Sequence, residues 1–209
     1  IPVALVAFGT WGGAHAGDIG LLLAVMVLTD VEVLSDSWLF GGIQAKDSEK
    51  IDYLKSSGRG MALMRNALAM DLVRRLLNIL WVTGISFLLI TQVKGGLEGL
   101  SWTAADFISC GGTAQELGFV LYLALLCYTL SALGTFLSRY GVTIYGNLLV
   151  GYGAMVLAGL AGAWGPVLLK YPSNSIFLLD LLCAAAGIGV SILTVRAAMR
   201  KVEGGYYDE

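Results

Sequence analysis

The sequence predicts an all-α polytopic protein, a bundle of about five helices that cross a membrane. Two observations predict this fold class. Apolar residues make up 57% of the 209 residues and charged residues only 13%, too few charges to cover the surface of a soluble fold of this size. The apolar residues are also grouped into runs of the roughly 20 residues that a helix needs to cross about 30 Å of hydrocarbon.

Five segments have the length and composition of membrane spans, and together they make residues 1–209 a single membrane domain. Continuous apolar runs such as LLNILWVTGISFLLI, which begins at Leu76, exclude the two-residue alternation of a membrane β-barrel. Helices are then the structure that satisfies the backbone hydrogen bonds in lipid. The predicted spans cover about residues 2–29, 76–93, 117–136, 142–164 and 176–195.

The distribution of lysine and arginine predicts the orientation, because such residues accumulate in cytoplasmic loops. With five spans, only Lys94 and Lys170 fall on one side, and the other eleven basic residues fall on the opposite side. This predicts an outside N-terminus and a cytoplasmic, or topologically equivalent, C-terminus. A four-span alternative would discard the first and most polar segment and place the N-terminus inside. The eleven are Lys46, Lys50, Lys55, Arg59, Arg65, Arg74, Arg75, Arg139, Arg196, Arg200 and Lys201.

The predicted cytoplasmic loop 30–75 ends in a stretch with helical periodicity. Met61, Met64, Leu68 and Leu72 are expected on one face, with Arg65, Asn66 and Arg75 away from it. One interpretation is an amphipathic interfacial helix along the cytoplasmic leaflet, where basic residues meet anionic lipid. The alternative is that this stretch simply extends the second span into the cytoplasm.

Polar side chains inside predicted spans are the candidates for function, because burying them in lipid is costly. His15 and Asp18 are three residues apart in the first span and share a helix face. They could relay protons or select an ion, or they could mark the end of a segment near water. Asp180 lies about 6–8 Å deep in the fifth span. It could serve transport, but a packed hydrogen bond to a neighbouring helix is the commoner explanation.

The fourth span predicts close helix packing. Ala158 and Gly162 are four residues apart, as are Gly159 and Ala163, and such spacing of small residues lets helix backbones approach. The fifth span adds the small residues Ala184–Ala186, Gly187 and Gly189. The pattern predicts tight contacts, within the chain or with other subunits.

The motifs of common enzymes and cofactor sites are missing from the sequence. A single histidine excludes a multi-histidine metal centre, the three cysteines have no metal-like spacing, and there is no GxxxxGK[ST], GxGxxG or HExxH. We therefore expect no cofactor, no metal site and no catalysis, and nothing suggests nucleic acid as a partner.

The hypothesis from the sequence is a non-catalytic subunit of a larger membrane complex, such as a secretion, translocation or bioenergetic assembly. Its expected partners are membrane lipid and either other subunits or further copies of itself. The alternative is a small oligomeric channel or transporter that uses the polar residues of spans 1 and 5. Five spans without a detectable repeat is an unusual plan for a transporter, which favours the first hypothesis.

Overall fold

A computed structural model describes residues 3–4, 6–7, 26–34, 56–95, 114–139, 152–153, 156–157, 160 and 173–204. Almost all of these residues are helical, and within them there is no β-strand. The helices are α1 (residues 26–34), α2 (Gly60–Gly95), α3 (Ala114–Arg139) and α4 (Ser173–Gly204).

Three of these helices are long and apolar enough to cross a membrane, and this part of the predicted fold class is confirmed. The candidate spans are Gly60–Leu89, Gly118–Leu137 and Ile176–Arg200, which include most or all of the second, third and fifth predicted spans. Most of the first and fourth predicted spans lies outside the described residues, so the total of five stays a prediction. His15, Asp18, Ala158, Gly159, Gly162 and Ala163 also lie outside the described residues.

Helix α2 is continuous through the point where the sequence predicted a loop to become a span. Its 36 residues give a length of about 54 Å, well beyond the hydrocarbon thickness. Residues 60–75 therefore extend the second span, as one of the two alternatives proposed, and an interfacial position for them is not confirmed. As expected from the periodicity, Met64, Leu68 and Leu72 are buried. Arg65 and Asn66 are exposed.

Helices α3 and α4 pack side by side in the same direction. At their N-terminal ends a Cβ atom added to Gly118 would lie 3.0 Å from Cγ2 of Ile176. Further along, the hydroxyl oxygens of Tyr128 and Ser191 are 2.7 Å apart. The Thr194 hydroxyl then donates to the carbonyl oxygen of residue 132 at 3.3 Å. Contacts that advance together along both helices define a parallel pair.

Gly187 permits the close approach of α4 to α3. A Cβ atom at this position would lie 3.0 Å from both Oγ1 of Thr129 and Cδ1 of Tyr128. Small residues let helix backbones approach in this way, and hydroxyl groups then bond across the interface. The close packing predicted for Gly187 is therefore found within the chain. Gly189 was predicted to pack in the same way, but a Cβ atom added there would meet nothing within 4 Å.

Helix α2 runs antiparallel to this pair and has two apolar contact regions. In the first, Ile79 and Val82 pack in one buried cluster with Leu123 and Cys127 of α3. In the second, residues near the start of α2 pack with residues near the end of α4, namely Met64, Leu68, Ala198 and Val202. Between these two apolar regions lies a group of charged side chains.

Candidate functional site

Charged and polar side chains from α1, α2 and α3 meet at one level of the bundle. The level is near the C-terminal ends of α1 and α3 and close to the middle of α2, where the two apolar regions meet. We call this group the charge layer. Its members are Glu32, Asp71, Arg74, Arg75, Asn78 and Thr135.

Arg75 is the centre of the charge layer and its side chain has no exposed surface. Its Nε and Nη2 atoms both lie 2.8 Å from Oδ2 of Asp71, one helical turn away. Its Nη1 atom donates to Oγ1 of Thr135 on α3 at 2.6 Å. Its Nε atom is also 3.9 Å from Oε2 of Glu32 on α1. A single guanidinium group therefore contacts three helices, using the forked donor geometry that distinguishes arginine from lysine.

Arg74 binds the same two carboxylates from the outer side. Its Nη2 atom lies 2.9 Å from Oδ1 of Asp71 and 3.0 Å from Oε2 of Glu32. The second oxygen of Glu32 accepts a hydrogen bond from Nδ2 of Asn78 at 3.2 Å. Each carboxylate oxygen of Asp71 thus accepts hydrogen bonds from one arginine. The two oxygens of Glu32 accept from Arg74 and Asn78.

The charges in this layer balance, since two arginines face two carboxylates. Glu32 and Asp71 are only 4% and 7% exposed, so water does not compensate for a missing partner. Pairs of this kind contribute little net stability compared with apolar packing, but breaking one leaves a buried charge unpaired and costs about 3–5 kcal/mol. The layer therefore fixes how α1, α2 and α3 fit together.

Arg75 was predicted to lie away from the apolar face of α2, and this prediction is wrong, because the residue is buried. Arg75 is seven residues after Leu68, and two helical turns bring it back to nearly the same face. It is buried because Asp71 and Thr135 satisfy its donors. Asp71 and Arg75 are four residues apart, and both lie close to the apolar face of α2. This spacing was the signal in the sequence that could have revealed the charge layer. Glu32, 42 residues from Arg74 along the chain, left no such local signal.

Asp180 forms a second polar site near the N-terminal end of α4. The residue is 4% exposed, and its Oδ2 atom would lie 3.9 Å from a Cβ atom on Gly118 of α3. Neither carboxyl oxygen has a hydrogen-bond partner among the residues that the structure describes. The hydrogen bond expected from the sequence is therefore not found in this part of the chain.

The chemistry available at these sites is limited. Within the described ranges, no three His, Cys, Asp or Glu side chains are close enough to hold a metal ion. Cys127 is buried and Cys183 half-buried, and both are free thiols. No known protein family, curated protein or solved structure gives a significant match to this chain.

Proposed function

We propose that this chain is a non-catalytic integral membrane subunit of a larger complex, of the secretion, translocation or bioenergetic kind. The observation that carries the proposal is the closed charge layer. Its guanidinium and carboxylate groups bond to each other across three helices. Such mutual pairing suits a structural role, because the charged groups bond to one another and hold the helices together.

The exposed apolar surface of α4 supports the same proposal. Only 17% of the most apolar stretch in Ile176–Arg200 is buried. Leu178, Leu181 and Ile188 are all more than half exposed. In a membrane this surface meets lipid or other transmembrane helices, so α4 is the helix through which we propose that partner subunits attach.

The parallel arrangement of α3 and α4 supports the five-span topology. If both helices cross the membrane in the same direction, residues 140–172 must cross it in the opposite direction. The predicted fourth span, residues 142–164, lies in this interval and has the required length. The topology that we propose has the N-terminus outside and the C-terminus in the cytoplasm.

Purification in a mild detergent tests the proposed function. A tagged chain should copurify with defined membrane proteins in fixed proportions, identified by mass spectrometry. The variant Leu181→Ser, which changes the exposed face of α4, should lose those partners while the chain remains in the membrane. Recovery of the chain alone, with ion flux in liposomes, would contradict a subunit role.

A channel or transporter is the second candidate, and Asp180 favours it. A buried carboxyl group without a partner in the described residues is the kind of group that transporters use for ions or protons. If Asp180 is structural, Asp180→Asn should be nearly silent, because the amide keeps the size and polarity of the side chain, and Asp180→Leu should damage assembly. Loss of flux in Asp180→Asn, with normal yield and complex size, would favour the second candidate.

A further inference from the structure

The ends of α2 and α4 beyond the charge layer form a paired extension. We define the extension as residues 56–70 and 195–203. Its two helices are held together by Met64, Leu68, Ala198 and Val202, all of them buried. The other faces of the extension carry both exposed arginines and exposed large apolar side chains.

Exposed arginines dominate the charge of the extension. Arg65, Arg196 and Arg200 are exposed, and Glu203 is the exposed acid among the side chains described there. Because Met64 packs in the same cluster as Ala198 and Val202, Arg65 and Arg200 lie at a similar level along the bundle. Arg196 is one helical turn, about 6 Å, closer to the charge layer. The three guanidinium groups therefore form a basic band.

Large apolar side chains are exposed at the same level. Leu63 is 65% exposed and Met70 is 66% exposed, and they lie on the same two helical turns as Arg65. Exposing leucine and methionine side chains to water is unfavourable, and placing an unpaired arginine in hydrocarbon is also unfavourable. The headgroup region accommodates both, because apolar chains enter the acyl boundary while guanidinium groups reach the phosphates.

We propose that the basic band of Arg65, Arg196 and Arg200 binds the phosphate groups of anionic phospholipids in the adjacent leaflet. Charge complementarity identifies the ligand, since positively charged side chains near a membrane surface are attracted to anionic lipid headgroups. The proposal depends on the membrane location of α2 and α4 and not on the subunit role. Each arginine contributes about a fivefold factor in lipid affinity, which corresponds to about 1 kcal/mol.

Lipid titration of the purified chain tests the proposal. The protein in neutral detergent is titrated with phosphatidylglycerol or phosphatidylcholine, and bound lipid is counted by native mass spectrometry. The wild type should prefer phosphatidylglycerol. The triple variant Arg65→Gln, Arg196→Gln, Arg200→Gln should lose more than tenfold of this preference, and added salt should weaken it in the wild type.

Two single variants serve as matched controls. Arg59→Gln removes the same charge from an exposed residue about 9 Å farther out along the bundle, and it should change the preference by less than twofold. Glu203→Gln removes the opposing acid and should preserve or strengthen binding. A triple variant with lysine at the three band positions should retain most of the binding, and its melting temperature, with that of the glutamine variant, reports whether folding is intact.

Three results would overturn the proposal. One is equal binding of the two lipids by the wild type. Another is unchanged preference in a folded glutamine variant. The third is displacement of bound phosphatidylglycerol by inorganic phosphate at the same concentration as the lipid. That result would mean that the basic band binds a free anion instead of a lipid headgroup.

Discussion

Neutralising Asp71 should strongly destabilise the bundle. Asp71→Asn keeps the side-chain shape but removes the negative charge that Arg75 contacts through two nitrogen atoms at 2.8 Å. Arg75 has no exposed surface and its next carboxylate is 3.9 Å away. The guanidinium group would therefore remain buried with most of its compensation lost.

The expected cost follows from these contacts. Breaking a buried ion pair costs about 3–5 kcal/mol. Because the asparagine amide keeps one oxygen that can accept a hydrogen bond from Arg75, we expect a cost of about 3 kcal/mol for this variant. Arg74 adds less, because its side chain is 43% exposed and retains Glu32 at 3.0 Å. A loss of this size is a large fraction of the roughly 5–15 kcal/mol that stabilises a typical fold.

Reversible unfolding in mixed micelles, with increasing sodium dodecyl sulfate, measures this cost as a free energy. The control is the double variant Asp71→Leu with Arg75→Met, which removes both charges and keeps Glu32 paired with Arg74. It should be less destabilised than Asp71→Asn. A cost under about 1 kcal/mol for Asp71→Asn, or an equal loss of stability in the double variant, would contradict this prediction.

Three further predictions concern packing, topology and hydrogen bonding. Gly187→Ala should cost about 1–3 kcal/mol in the same unfolding assay, because its Cβ atom would meet α3 side chains at 3.0 Å. Gly189→Ala, which has open space, is the control, and equal tolerance of the two changes would contradict the α3–α4 interface. Cysteines placed at residues 98–106 or 171–174 should react with an impermeant reagent applied to intact cells, whereas those at 47–57 should not; labelling of 47–57 would reverse the orientation. Tyr128→Phe removes the 2.7 Å hydroxyl contact to α4 and should cost about 0.6 kcal/mol, and a loss above about 2 kcal/mol would show that the hydroxyl does more than bond across the interface.

The sequence predicted the helical class because hydropathy and length alone determine which segments can enter a membrane. It located both ends of α3, the C-terminal end of α2 and the N-terminal end of α4 to within three residues, but it missed the other ends of α2 and α4. Gly60–Gly95 begins about fifteen residues before the predicted second span because apolar periodicity, not mean hydropathy, governs the extension packed against Val202.

The charge layer could not be predicted in the same way. Hydropathy treats Arg75 as a residue to be excluded from the interior, whereas a buried arginine becomes acceptable once specific acceptors surround it. Its nearest acceptor, Asp71, is four residues away on α2, but Glu32 comes from α1 and Thr135 from α3, the latter 60 residues away along the chain. The pairing of distant residues is a property of the assembled fold, and a single sequence does not record it.

The parallel contact between α3 and α4 also has a consequence for biogenesis. A ribosome releases α3 well before α4, since Tyr128 and its partner Ser191 are 63 residues apart. During that interval the Tyr128 hydroxyl of α3 is without its partner on α4. Nascent chains stalled before residue 173 should therefore be held by membrane chaperones or degraded by quality-control proteases. Helix α4 would then determine whether the helices synthesised before it are retained.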